Sequence, residues 1–277
     1  MKEFFGFGGY TREPEGYFSA EHLIFVTSLM MIMIALGIFF GLKGRKKTDS
    51  GKNRALIAAA IAIDSIELFK IVMTCFINND PLRWLYELPL FMCSIQLITI
   101  PLAAFSKGRL REAALDFVAI FGLLGAFMGT YFAGQNYACY PVISFDNVVS
   151  GVTHSISGFA ALYIMISGML SMKLKNIGIT FSIISGFAVA AYAVNRLIDY
   201  NYMFLMRGDG TPYDILYNLV GGNKIAYPLG VLALFFIYIA LFYGVYYCCA
   251  KRKKEKQIIE EIKVSASREE KELEVIS

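Results

Sequence analysis

Thiols and imidazoles are scarce in this 277-residue chain, which holds five cysteines and two histidines. Cys93 lies in "ELPLFMC" and His154 in "GVTHSISGF", both inside strongly apolar surroundings. A buried neutral imidazole can take the proton of a thiol, and the resulting thiolate is a strong nucleophile. Each residue also has a structural reading: Cys93 as a small apolar core residue, His154 as a partner in an interhelical hydrogen bond. His22, in "SAEHLIF", reads as interfacial. Gln96 follows Cys93 by three residues and on a continuous helix would share its face. Asp64, Glu67 and Lys70 repeat at intervals of three and form one charged stripe. Glu67 and Lys70 are expected to pair, with Lys70 meeting an anionic head group as the alternative. Neither H-x-x-x-H nor C-x-x-C spacing occurs, so no metal and no cofactor is expected. Cys75 and Cys139 form a disulfide only if they meet on an oxidising side, and Cys248-Cys249 is a palmitoylation candidate.

Polar groups carry such weight because of the solvent around them. The chain is 57% hydrophobic and only 17% charged, with a mean hydropathy of +0.55, outside the range of ordinary soluble domains. Seven apolar stretches approach the roughly 20 residues needed to cross a bilayer: 20–42, 54–77, 85–106, 113–134, 148–171, 176–199 and 224–249. The expectation is an all-α polytopic membrane protein, a bundle of seven transmembrane helices. Residues 1–19 form an extracellular amino-terminal segment, 20–250 the membrane domain and 251–277 a charged cytoplasmic tail. No cleavable signal peptide is apparent, so the first span is expected to direct insertion. Gly37 with Gly41, and Gly122 with Gly125 and Gly129, mark close helix packing.

Charge orients the bundle. "KGRKKTDSGKNR", "SKGRLRE", "SMKLKN" and the tail opening "KRKKEK" are rich in Lys and Arg, whereas "NNDPLRW" and "GQNYACYPVISFDN" carry one basic residue or none. The amino end is therefore expected outside and the carboxyl end in the cytoplasm. The net charge of +4 sits on this cytosolic rim, which argues against a nucleic-acid partner. Under this topology Cys93, His154, Lys70 and Asn195 fall in one layer near the outer rim. The long outer segment after the sixth span, with Asn201, Tyr202 and Pro212, reads as a lid on the bundle mouth or an aromatic belt.

"ELPLFMC" at 87–93, "THSISGFAALYIMI" at 153–166 and "VNRLIDYNYMFLMRGDGTPYDIL" at 194–216 resemble the bacterial YwaF-like seven-span membrane proteins. These are related to the eukaryotic transmembrane protein 164 family, acyltransferases that use a cysteine and a histidine to move fatty acyl chains onto ether lysophospholipids. The resemblance covers about residues 18–247. It implies that Leu88, Pro89, Leu90 and Cys93 match the family's leucine-proline-leucine-x-x-cysteine, that His154 is its fifth-span histidine, and that Asn195, Asn201 and Tyr202 match its asparagine and asparagine-tyrosine. Many bacterial members carry histidine where this chain has Phe91.

The expected function is thus a cell-membrane, multi-pass acyltransferase or transacylase with phospholipid and lysophospholipid substrates. Cys93 and His154 would be catalytic; Asn195, Asn201, Tyr202, Gln96, Lys70, Glu67 and His22 would line the substrate site. Asn195 or Gln96 would steady the oxyanion. The rival expectation is a non-enzymatic transporter or sensor working through Asp64, Glu67 and Lys70, although no inverted symmetry is visible. No sequence feature sets an oligomeric state.

Overall fold

The computed structural model describes residues 2–249; the charged tail over 251–277 lies outside the described residues. Among the described residues the regular structure is all helical. The principal helices are α1 (Ala20–Arg45), α2 (Asp49–Ile77), α3 (Gln96–Phe105), α4 (Gly108–Tyr131), α5 (Phe145–Ser167) and α6 (Ile177–Ile198), followed by α7 (Ala226–Cys249). Five helical stretches are long and apolar enough to cross a bilayer: Ala20–Arg45, Gly108–Cys139, Phe145–Ser167, Leu174–Ile198 and Ala226–Cys249. Long as it is, α2 is interrupted by Asp64, Glu67 and Lys70.

The expected helix over 85–106 is corrected. Residues 83–86 form a 3-10 turn, 87–95 run as irregular backbone and turns, and only Gln96–Phe105 is α-helical. Pro89 explains the break, because it has no N–H to donate and disfavours helical backbone at Leu88. Cys93 and Gln96 consequently do not share one helix face.

Side-chain caps set several boundaries. Ser19, Thr48 and Ser144 each accept a hydrogen bond from the backbone N–H three residues on, opening α1, α2 and α5. Gly168, at φ 76°, closes α5 in the left-handed conformation.

Helix α5 packs against α1, α2 and α4. Association within lipid gains little from hydrophobicity, since lipid tails are as apolar as the side chains, and so depends on close packing. Small residues supply it. A Cβ on Gly41 would stand 2.7 Å from Ile166 Cβ, and one on Gly37 2.9 Å from Leu162 Cβ. One apolar core joins Phe117 and Phe121 of α4, Ile184 and Ala188 of α6 and Val231, Phe235 and Ile239 of α7.

The segment after α6 begins inside the bundle rather than over its mouth. Tyr202, Met203 and Leu205 are buried within that same core. At the opposite end, Asp116 is fully buried and accepts from Ser171 N (3.1 Å), Met172 N (3.0 Å), the Ser171 hydroxyl (3.1 Å) and Tyr243 Oη (2.7 Å). This carboxylate ties α4 to α7 and to the α5–α6 connection, satisfied by neutral donors as a buried charge requires.

Candidate functional site

Cys93 is carried by the irregular stretch ahead of α3, and that stretch is held from far along the chain. Tyr202 Oη donates to Leu85 O at 2.6 Å and accepts from Leu88 N at 3.1 Å. Asn195 fixes Tyr202 in turn: its Oδ1 accepts from Tyr202 N at 2.7 Å, and its Nδ2 donates to Tyr202 O at 3.0 Å. Asn201 folds the following turn, accepting from Met206 N at 2.9 Å and donating to Arg207 O at 2.8 Å. Phe91, Tyr200 and Tyr202 pack edge to face beside the stretch.

His154 lies on α5 with Nδ1 2.7 Å from Ser150 O. A carbonyl oxygen only accepts, so Nδ1 carries the proton and the lone pair of the neutral ring sits on Nε2. Nε2 is buried and has no hydrogen-bond partner among the described residues. Cys93 and His154 are side-chain neighbours within electrostatic reach of each other. Both residues are half-buried, although His154 Nε2 itself is not exposed.

Two α4 glycines make this approach possible. A Cβ on Gly129 would lie 2.0 Å from His154 Nε2, so any side chain there would displace the ring. A Cβ on Gly125 would meet Cys93 Cβ at 3.7 Å, an ordinary contact. The small-residue spacing was visible in the sequence; that Gly129 serves the histidine was not.

A charged cluster adjoins the pair. Lys70 Nζ lies 3.0 Å from Glu67 Oε1, as the stripe on α2 suggested, and 2.8 Å from Glu87 Oε2, which sequence spacing did not suggest. Two carboxylates share one ammonium, so Lys70 is committed to ion pairing. Glu67 is within electrostatic reach of His154. Asp146 accepts from Tyr10 Oη at 3.0 Å and lies within reach of Lys70 and Glu87. Asp64 leaves a buried Oδ1 without a hydrogen-bond partner.

The remaining expected site residues are placed differently. Gln96 is fully buried; its Oε1 accepts from Thr99 at 3.1 Å while its Nε2 is unpartnered. Asn195 spends its amide on the Tyr202 backbone, and Asn201 spends its own on backbone and on Asp209 Oδ2 at 2.8 Å. His22, near the start of α1, is fully buried among protein side chains. Its Nδ1 accepts from Phe18 N at 3.1 Å, its Nε2 donates to Thr130 O at 3.2 Å, and its ring lies over Tyr137 at 3.9 Å. All five cysteines are free thiols, Cys75 and Cys139 included. Among the described residues no cluster of His, Cys, Asp and Glu could hold a metal ion.

The model of the TMEM164 family matches residues 17–256, most of the chain, so the chain belongs to that family. No significant match arises among curated proteins or among solved structures.

Proposed function

We propose that this member of the TMEM164 family is a membrane-embedded acyltransferase or transacylase that moves a fatty acyl chain between phospholipid and lysophospholipid through a thioester on Cys93. The reading includes seven membrane passes, with α2 and the broken third segment completing the five apolar ones, an outer amino end and a cytoplasmic carboxyl end. Its main support is the state of His154: Nδ1 donates to Ser150 O, which leaves a buried, unpartnered Nε2 beside Cys93.

In this reading Nε2 takes the Cys93 proton and the thiolate attacks the ester carbonyl of the donor lipid. The carbon–oxygen bond breaks, the departing lysolipid oxygen takes the proton from the imidazolium, and the acyl chain stays on sulfur. The acceptor hydroxyl then gives its proton to Nε2 and attacks the thioester, and the thiolate leaves and is reprotonated. The unpartnered amide of Gln96 is the side-chain donor offered to the oxyanion. Asn195 and Tyr202 act as positioning residues for the stretch that carries the nucleophile. Because Lys70 is already shared by two glutamates, the α2 cluster serves as an electrostatic wall behind His154. Half-burial of both partners in a membrane protein suits substrates whose acyl chains arrive through the bilayer.

The test is capture of the intermediate. Purified protein incubated with a phospholipid labelled in its acyl chain should acquire label that neutral hydroxylamine removes. Cys93→Ala should abolish both the adduct and transfer to lysophospholipid. Transfer that survives Cys93→Ala would overturn the thioester on Cys93, and solute flux in liposomes with no acyl transfer at all would overturn the reading in favour of a transporter or sensor.

A further inference from the structure

The proposed reaction needs a lipid held by its head group, and the cations at the mouth are not equivalent. Lys70 is spent on Glu67 and Glu87. Arg83, on the 3-10 turn that leads into the Cys93 stretch, takes part in no salt bridge among the described residues. Its Nε is buried without a hydrogen-bond partner. Its guanidinium lies over the Tyr86 ring at 5.4 Å, and it is within electrostatic reach of the phenols of Tyr140 and Tyr200. A guanidinium stacked on one phenol ring with unspent donors is chemistry suited to bidentate recognition of a phosphate.

We infer that Arg83 binds the phosphate group of a ligand at the end of the bundle where the Cys93 stretch begins. The inference rests on the acyltransferase reading for its choice of ligand, a phospholipid or lysophospholipid head group, but not for the contact itself. The surrounding charge narrows the class. Glu67 and Glu87 flank Lys70, and Asp146 lies near them, so carboxyl groups gather at this mouth. A head group that joins its phosphate to an ammonium complements such a mouth; one with a bare extra anion does not.

The protein supplies its own reporter, because Trp84, its single tryptophan, adjoins Arg83. Full-length protein in an uncharged detergent is titrated with lysophosphatidylethanolamine while Trp84 fluorescence is followed. The wild type should saturate, whereas Arg83→Gln should raise Kd roughly tenfold or more, the loss of a charge-assisted contact; Arg83→Lys should fall between. Monoacylglycerol, which has no phosphate, should bind both forms alike, and lysophosphatidylglycerol should bind the wild type more weakly than the ethanolamine lipid. Displacement by low-millimolar inorganic phosphate would mark free phosphate as the source of the ligand, and resistance to it would mark the lipid. Unchanged affinity in both Arg83 variants, or equal affinity of the wild type for lysolipid and monoacylglycerol, overturns the contact. Repeating the titration with Cys93→Ala separates the two proposals: binding that persists without transfer supports both, while transfer by Cys93→Ala with Arg83-dependent binding removes only the Cys93 thioester.

Discussion

At the scale of residues, the state of the site turns on what each side chain already spends. His154 spends Nδ1 on a carbonyl and keeps Nε2 free; His22 spends both nitrogens on backbone. Two histidines of equal standing in the sequence therefore diverge through partners that no spacing rule exposes. Cys93→Ala, His154→Ala and the double variant should lose acyl transfer to a similar, non-additive extent while staying folded, because members of one catalytic unit fail as a unit. Full additivity in that cycle would place the two residues in separate roles. The α4 glycines allow a sharper comparison. Gly129→Ala should push the imidazole aside and cost roughly 100-fold in transfer, whereas Gly125→Ala should leave transfer and melting temperature near those of the wild type. At the amino terminus, Glu3 accepts from Arg12 N at 2.8 Å and from Thr11 N and Oγ1, and these donors, the Arg12 amide foremost, hold its carboxyl below the usual range. A carboxylate depressed on folding stabilises above its unfolded value, and the contribution fades as pH falls through its folded value. The amide resonances of Thr11 and Arg12 should accordingly titrate below the ~4.3 of a free glutamate, and Glu3→Gln should remove that titration.

At the scale of elements, the Lys70 cluster shows what periodicity captures and what it omits. The Glu67–Lys70 pair was legible because both residues lie on one helix three positions apart. Glu87 was not assigned to it, since it approaches from the irregular stretch that was read as a helix. The omission changes the expected result of charge reversal. Combining Glu67→Lys with Lys70→Glu would set a second carboxylate against Glu87, so the double reversal alone should rescue folding only partly, and adding Glu87→Lys should improve it. Lys70→Met should cost about 3 kcal/mol, the penalty for leaving buried carboxylates without their cation, and Glu67→Gln with Glu87→Gln in the same chain should recover most of it. Thermal unfolding in detergent reads each case. Other elements were legible for plain reasons. Long apolar runs between capping residues gave helices near the expected bounds, and the break at Pro89 is the one place where hydropathy outvoted backbone chemistry. The role of Asp116 was not legible, because its partners Ser171, Met172 and Tyr243 come from chain far downstream.

At the scale of the molecule, the family and the all-helical architecture with its apolar spans rest on the sequence as firmly as on the coordinates, while the sidedness of the bundle rests on the Lys and Arg asymmetry. Starting from a cysteine-free background, single cysteines at Ser50 and Thr211 should react differently with an impermeant maleimide in intact cells: Thr211→Cys labelled, Ser50→Cys protected until the membrane is opened. Labelling of both in intact cells would refute the orientation. The Tyr202 anchor has a consequence for the order in which the protein is made. Leu85 O and Leu88 N are hydrogen-bonded to a residue more than 110 positions further on. At synthesis rates of about 5–20 residues per second, the segment bearing Cys93 spends on the order of 5–20 s in the membrane before its anchor exists. A nascent chain arrested before Asp199 should therefore hold the thiol without its frame, and a thiol-reactive lipid probe should label Cys93 in the finished protein far more readily than in that arrested chain.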